Sequence, residues 1–153
     1  MGPRRPRLLL LALTVAASLT RTVGFRASHR LYRPEWSESR NREVFGPVSD
    51  PPGHAHDYRC AVTVRGPLGK MGMILDLGEL DRILQDEVVT PFAGKHLNLD
   101  VPAFAYGKTL ATCEAMAAYV FRRVAPRLPA GLTLERVRIK EDETLYADST
   151  GAD

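Results

Sequence analysis

Three histidines are the residues of this 153-residue chain best placed to do chemistry together. The stretch "DPPGHAHDYRCAVTVRG" puts His54 and His56 at i and i+2, ahead of an alternating run of Tyr58, Cys60, Val62 and Val64. Side chains at i and i+2 of a strand project to the same side, so both imidazoles can reach one ion. A third donor is available in His29, which ends the apolar face Val23, Phe25, Ala27 of an earlier alternating stretch. Three imidazoles with an open fourth position are the donor set of a catalytic rather than a structural zinc site. Imidazole ligands without thiolate suit zinc and also admit other first-row metals. The same spacing also reads as two polar residues at the mouth of a strand and one hydrogen-bonded core histidine.

Several elements are needed to bring these residues together. "TRTVGFRASHRL" and "HDYRCAVTVRG" alternate with a period of two and predict an antiparallel strand pair, the second ended by Gly66-Pro67 and Gly69. The connection between them is long, polar and proline-rich, the kind of loop that tends to carry function or to move. "DLGELDRILQDEVV" places Leu77, Leu80, Ile83, Leu84 and Val88 at helical spacing, with Pro91 as its expected stop. "TCEAMAAYVFRRVAPRL" predicts a second helix with Thr112 as N-cap and a stripe of Ala117, Val120, Phe121 and Val124. "GLTLERVRIKEDETLYAD" alternates Leu132, Leu134, Val137 and Ile139 and supplies a last strand or strand pair. The order β-β-α-α-β-β, without repeats, indicates an α+β fold with helices on one face of a sheet.

Bulk properties narrow the partners. With 44% hydrophobic and 25% charged residues, the chain is of a size and composition to build one domain around a real core. Arg4, Arg5 and Arg7 account for the whole formal charge of +3, so the body is neutral. No basic face interleaved with aromatics is present, which argues against a nucleic-acid partner. Cys60 and Cys113 make no secreted disulfide framework and are expected to be reduced thiols. "MGPRRPRLLLLALTVAASL", residues 1–19, has a basic start, an apolar run from Leu8 to Leu13 and small residues at Ala16–Ser18. It reads as an N-terminal extension, either a signal-like leader or a start placed upstream of the true one. Its apolar run is too short to span a bilayer, so no membrane partner is expected. Residues 20–148 then form the domain and 149–153 a tail, in the cytoplasm, or exported if the leader is a true signal.

At the level of motifs the chain resembles the 6-pyruvoyltetrahydropterin synthase and 6-carboxytetrahydropterin synthase family. "FRASHRL" from Phe25, "VFGP" with "PPGHAHDY" up to Tyr58, "VTVRG", "GMILDL" from Gly72, "KHLNLDVP" from Lys95 and the Thr112–Glu114 segment carry the likeness, in order, over about residues 20 to 147. The resemblance implies the tunnelling fold, with a four-stranded antiparallel sheet and two helices on one face. It also implies homo-oligomers, trimers or stacked hexamers, with active sites between subunits. It further implies zinc on His29, His54 and His56, a pterin substrate such as 7,8-dihydroneopterin triphosphate, and for the bacterial branch a place in queuosine biosynthesis. Glu141 is then the carboxylate that anchors the pterin ring, with Thr112 and Glu114 near the same pocket; a carboxylate facing two donors gives the required fork. Without the resemblance, Glu141 reads as a solvated strand-end acid beside Asp142 and Glu143.

The chain also departs from that pattern. The family's catalytic cysteine lies six residues before the first histidine of H-x-H, where this sequence has Val48, and its Asp-His pair is replaced by Ala93-Gly94. None of these three side chains can exchange a proton. Asp50, Cys113 and His96 are the available substitutes. Each has an ordinary alternative, as a solvated or capping acid, a packing thiol, and a bystander two residues beyond the lost pair.

Overall fold

The structure, a computed structural model, describes residues 15–152. Four antiparallel strands, β1 Ala16–His29, β2 His54–Pro67, β3 Thr133–Lys140 and β4 Tyr146–Ser149, lie in sequence order in one sheet. The expected two-residue alternation sets the β1–β2 register: Phe25 pairs with Tyr58, Ala27 with His56 and His29 with His54. One sheet face is therefore continuous from the apolar core to the histidines. β1 starts at Ala16, pairing with Pro67, four residues before the strand expected from Thr20. The basic start and apolar run of the extension lie outside the described residues.

β3 contains a parity break that the sequence alternation shows only indirectly. Leu134, Val137 and Ile139 are all buried although 134 and 137 differ by an odd number. Val64 pairs with Leu134 and Thr63 with Arg136, so Glu135 is the extra residue of a bulge that returns the strand to the correct face. With that correction the next inward position after Ile139 is Glu141, just past the strand end.

Two helices cover the inner face. α3 Cys113–Val124 is capped by Thr112, whose hydroxyl accepts from the Ala115 N–H at 3.2 Å, and it buries Cys113, Met116, Ala117, Val120 and Val124. Phe121 is only half-buried. α2 Leu77–Leu84 is capped by Asp76 and sends Leu80, Ile83 and Leu84 into the same core, while Leu77, in its first turn, stays exposed. Pro91 does not stop this helix as expected. The turn Gln85–Val89 widens to π geometry, with the Thr90 N–H donating to the Gln85 carbonyl, and helical backbone continues through Thr90–Phe92. A wide turn before a proline makes room for its ring and accommodates the missing N–H. The long connection between β1 and β2 is also more ordered than its composition indicates. It holds an eight-residue helix, α1 Glu38–Phe45, whose N-cap Ser37 accepts from the Arg40 N–H. Asn41, fully buried, ties that helix to the backbone of Arg33 in both directions. No helix among the described residues is long and apolar enough to cross a membrane.

Phe92 is the anchor that the continued helix delivers, fully buried against Phe25 at 5.3 Å and Tyr119 at 5.7 Å between ring centres. Phe92→Ala is expected to cost about 3–5 kcal/mol, read as a lower urea midpoint with unchanged slope.

Candidate metal centre

The three sequence-predicted histidines converge. Their ligand-capable ring nitrogens lie within 4.8 Å of one another, with His29 Nε2 3.0 Å from His54 Nε2. Strand pairing does most of this, because His29 and His54 face each other across the ladder and His56 follows on the same side. Gly53 makes the approach possible. Its φ is +110°, and any Cβ there would press into the His29 carbonyl, so only glycine lets the turn fold onto the end of β1.

Each imidazole is also prepared for a cation. The Ala111 carbonyl can only accept, so His29 Nδ1 must donate to it, at 2.7 Å, which leaves the Nε2 lone pair free and aimed at the cluster. Burial pulls His29 down from 6.5 to about 4 against the opposing pull of that hydrogen bond, and burial followed by the nearby His56 lowers His54. Both are therefore neutral at pH 7, as metal binding requires. His56 Nε2 is buried with no hydrogen-bond partner. A buried imidazole nitrogen without a partner is costly, and a shared metal ion would satisfy it. The donor set and this orphaned nitrogen fit a metal ion.

Glu141 borders the same point, with Oε2 3.6 Å from His56 Nε2 and 4.0 Å from His29 Nε2 and its side chain 15% exposed. It is not the solvated strand-end acid of the ordinary reading; its neighbours Asp142 and Glu143 are exposed. Asp142 closes the following turn by accepting from the Thr144 and Leu145 N–H groups. Cys113 packs beside Glu141, and burial and then the Glu141 charge push its thiol up to about 12. Thr112 adjoins Ala111, the residue that holds His29, whereas Glu114 is exposed in the first turn of α3.

The remaining candidates separate. Asp50 is held by Arg42 at 2.6 Å and lines a polar cavity of about 310 Å³ with Arg30, Tyr32 and Ser49, which none of the three imidazoles lines. His96 donates from Nε2 to the Pro52 carbonyl at 2.8 Å, while its Nδ1 is buried and unpaired. Val48 is half-buried, Ala93 and Gly94 are exposed, and Gly94 has a φ of +71°.

Sequence reasoning missed three supports of the site. The Ala111 carbonyl is a backbone group and leaves no signal in side-chain types. Asn98, 5% exposed, accepts from the Arg30 N–H at 2.8 Å and donates to Phe104, pinning the end of β1. Tyr58, 1% exposed, carries a hydroxyl with no partner next to the histidines, and its place on the histidine face was the available clue.

Fold and site together define an α+β protein whose antiparallel sheet presents a three-histidine candidate metal centre. A family model described as 6-pyruvoyl tetrahydropterin synthase matches residues 18–152, and the chain belongs to that family. It is 37% identical over 126 residues to the 6-pyruvoyl tetrahydrobiopterin synthase of Poecilia reticulata, covering 82% of this chain and 84% of that protein. To the Homo sapiens protein of the same name it is 34% identical over 128 residues, covering 83% and 86%. The solved 6-pyruvoyl tetrahydropterin synthase of Caenorhabditis elegans superposes with a TM-score of 0.82 at 27% identity, covering 91% of this chain and 98% of that one.

Gly53→Ala tests the turn that sets the site. It is expected to lose about 1–3 kcal/mol of stability from the strained backbone alone, measured by chemical denaturation, with a parallel loss of metal affinity.

Proposed function

We propose that this chain is a zinc-dependent pterin enzyme of the 6-pyruvoyl- and 6-carboxytetrahydropterin synthase kind, a lyase acting on 7,8-dihydroneopterin triphosphate or a related pterin. The observation that supports this reading is the convergence of three imidazoles beside a largely buried carboxylate. Zinc held by His29, His54 and His56 would polarise an oxygen of the bound pterin side chain and ease loss of its proton. His29, fixed by Ala111, sets the direction of that interaction. Glu141 would offer a charged acceptor to pterin ring N–H groups, with Thr112 and Glu114 as further contacts to the pterin.

The acid-base part of the site is reduced. With Val48, Ala93 and Gly94 at the resembling positions, the expected loss is roughly 100- to 10,000-fold in rate. Of the three substitutes, Asp50 is engaged by Arg42 and Cys113 is a poor proton acceptor because its thiol is already protonated at neutral pH. His96 keeps a free ring nitrogen and is the first residue to mutate in search of a base. The same three substitutions also support a second reading, a pterin-binding or structural paralogue that does not turn over.

We also infer a homotrimer or hexamer in the cytoplasm. β1 and β4 are the edges of the sheet, and pairing between subunits removes the liability of open edges.

Purified protein should carry about one zinc per subunit, and His54→Ala and His56→Ala should lose it; equal metal content in all three ends the zinc reading. Turnover of dihydroneopterin triphosphate by the zinc-loaded protein should lie well below about 1 per second, and an ordinary enzyme rate would refute the reduced site. Glu141→Ala should weaken pterin binding by about 1.5–3 kcal/mol, the value of a hydrogen bond to a charged group, read by fluorescence titration. Restoring Cys at 48, Asp at 93 and His at 94 together should raise turnover, although a histidine at 94 must adopt the left-handed backbone of Gly94, at a cost of about 1–2 kcal/mol.

A further inference from the structure

The apolar core and the three histidines share one face of the sheet. The opposite face presents Arg26 on β1, Arg59 and Arg65 on β2, and Arg136, Arg138 and Lys140 at alternate positions along β3. Several of these charges are neutralised in place. Arg138 is held by Asp148 through two bonds of 2.7 and 3.0 Å, Arg26 pairs with Asp57 at 3.1 Å, and Arg65 reaches Glu135 at 3.9 Å. Arg59 is exposed and, among the described residues, has no carboxylate within ion-pair range. Lys140 stands directly opposite it in the β2–β3 ladder, and the lysine's own partner, Glu143, has a side chain 95% exposed. Two cations facing each other across a ladder destabilise it, and an ion pair with so exposed an acid offsets little of that. An anion lying between the two would remove the repulsion.

The backbone leaves room for one. On its other side Arg59 faces Gly24, and its guanidinium lies over the bare backbone there, where a Cβ would stand 3.1 Å from Nη1. Gly24, Arg26, Asp57 and Arg59 border an open basin of about 390 Å³. Asp57 is already engaged by Arg26, so the unbalanced charge of the basin is that of Arg59, with Lys140 beside it. A guanidinium offers the planar fork that phosphate oxygens fit, and a lysine adds a mobile point charge. Tyr146, the aromatic neighbour on β4, is covered by the Arg138 guanidinium at 3.8 Å from its ring centre. The face therefore has no open stacking platform there and fits a small anion rather than a nucleic-acid strand. We propose that this helix-free face of the sheet binds a short phosphate chain between Arg59 and Lys140, over Gly24. The site is separate from the histidine cluster, because Arg59 and His56 project to opposite faces of β2, and it goes beyond the pterin reading.

Inorganic triphosphate, titrated calorimetrically into the full chain at low ionic strength, tests this. Arg59→Gln and Lys140→Gln should each weaken binding about 10- to 100-fold, the loss expected for hydrogen bonds to a charged group. Gly24→Asp, which sets a carboxylate against Arg59, should abolish it. Arg65→Gln lies on the same face about 20 Å along the strand, beyond the reach of screened charge, and should bind within about twofold of wild type. His54→Ala should bind as wild type does, which separates this site from the metal centre. Three results overturn the proposal: no binding by wild type at millimolar triphosphate, equal weakening in Arg65→Gln and Arg59→Gln, or loss of binding in His54→Ala. Affinities within about twofold of wild type for both Arg59→Gln and Lys140→Gln overturn it too. If one of these variants does not fold, the other and Gly24→Asp carry the same test. Failure of the pterin reading would leave these results unchanged.

Discussion

Everything in the site depends on one backbone register, the pairing of His29 with His54 across the β1–β2 ladder. A shift of one residue would send His54 and His56 to the outer face together with the whole apolar set behind them, because side chains alternate with a strict period of two. The apolar pairs Phe25–Tyr58 and Val23–Cys60 therefore act on the histidine cluster from a distance, as the core that forbids the slip. Gly53 then brings the chain back onto the His29 carbonyl at the point where the ladder begins. Packing energy from the sheet interior is converted into placement of three polar groups at its edge.

Around that register, the second layer of contacts is directional. Ala111 selects the His29 tautomer, Asn98 holds the backbone beside it, and His96 ties the Pro52 carbonyl of the turn ahead of His54. Residues 94–96 also bond along the outer edge of β1, through the Gly94 N–H to Arg26 and the Ser28 N–H to Lys95. This segment therefore acts as scaffold for the end of β1 that carries His29. Gly94 sits there in the left-handed region, with φ +71°.

Much of this was legible in the residues. The two alternating stretches, the Thr112 cap and the shared face of His54 and His56 follow from periodicity, since a half-buried strand and a capped helix each impose a spacing on side-chain type. Pro91 misled because a π turn absorbs it, and helix-stop reasoning considers regular helix only. The Glu135 bulge and the α1 helix were hidden for different reasons. A bulge is decided by the partner strand, and α1 is held by Asn41 rather than by an apolar stripe. Glu141 could be assigned a role only by resemblance, because its position relative to the histidines depends on that bulge and on a fourth strand.

The central claim is that three imidazoles bind one zinc ion. X-ray absorption at the zinc edge of the loaded protein tests it most directly. The account predicts only nitrogen and oxygen neighbours at about 2.0–2.2 Å, with outer-shell scattering from three imidazole rings. A first shell containing sulfur, or one without imidazole scattering, would contradict it.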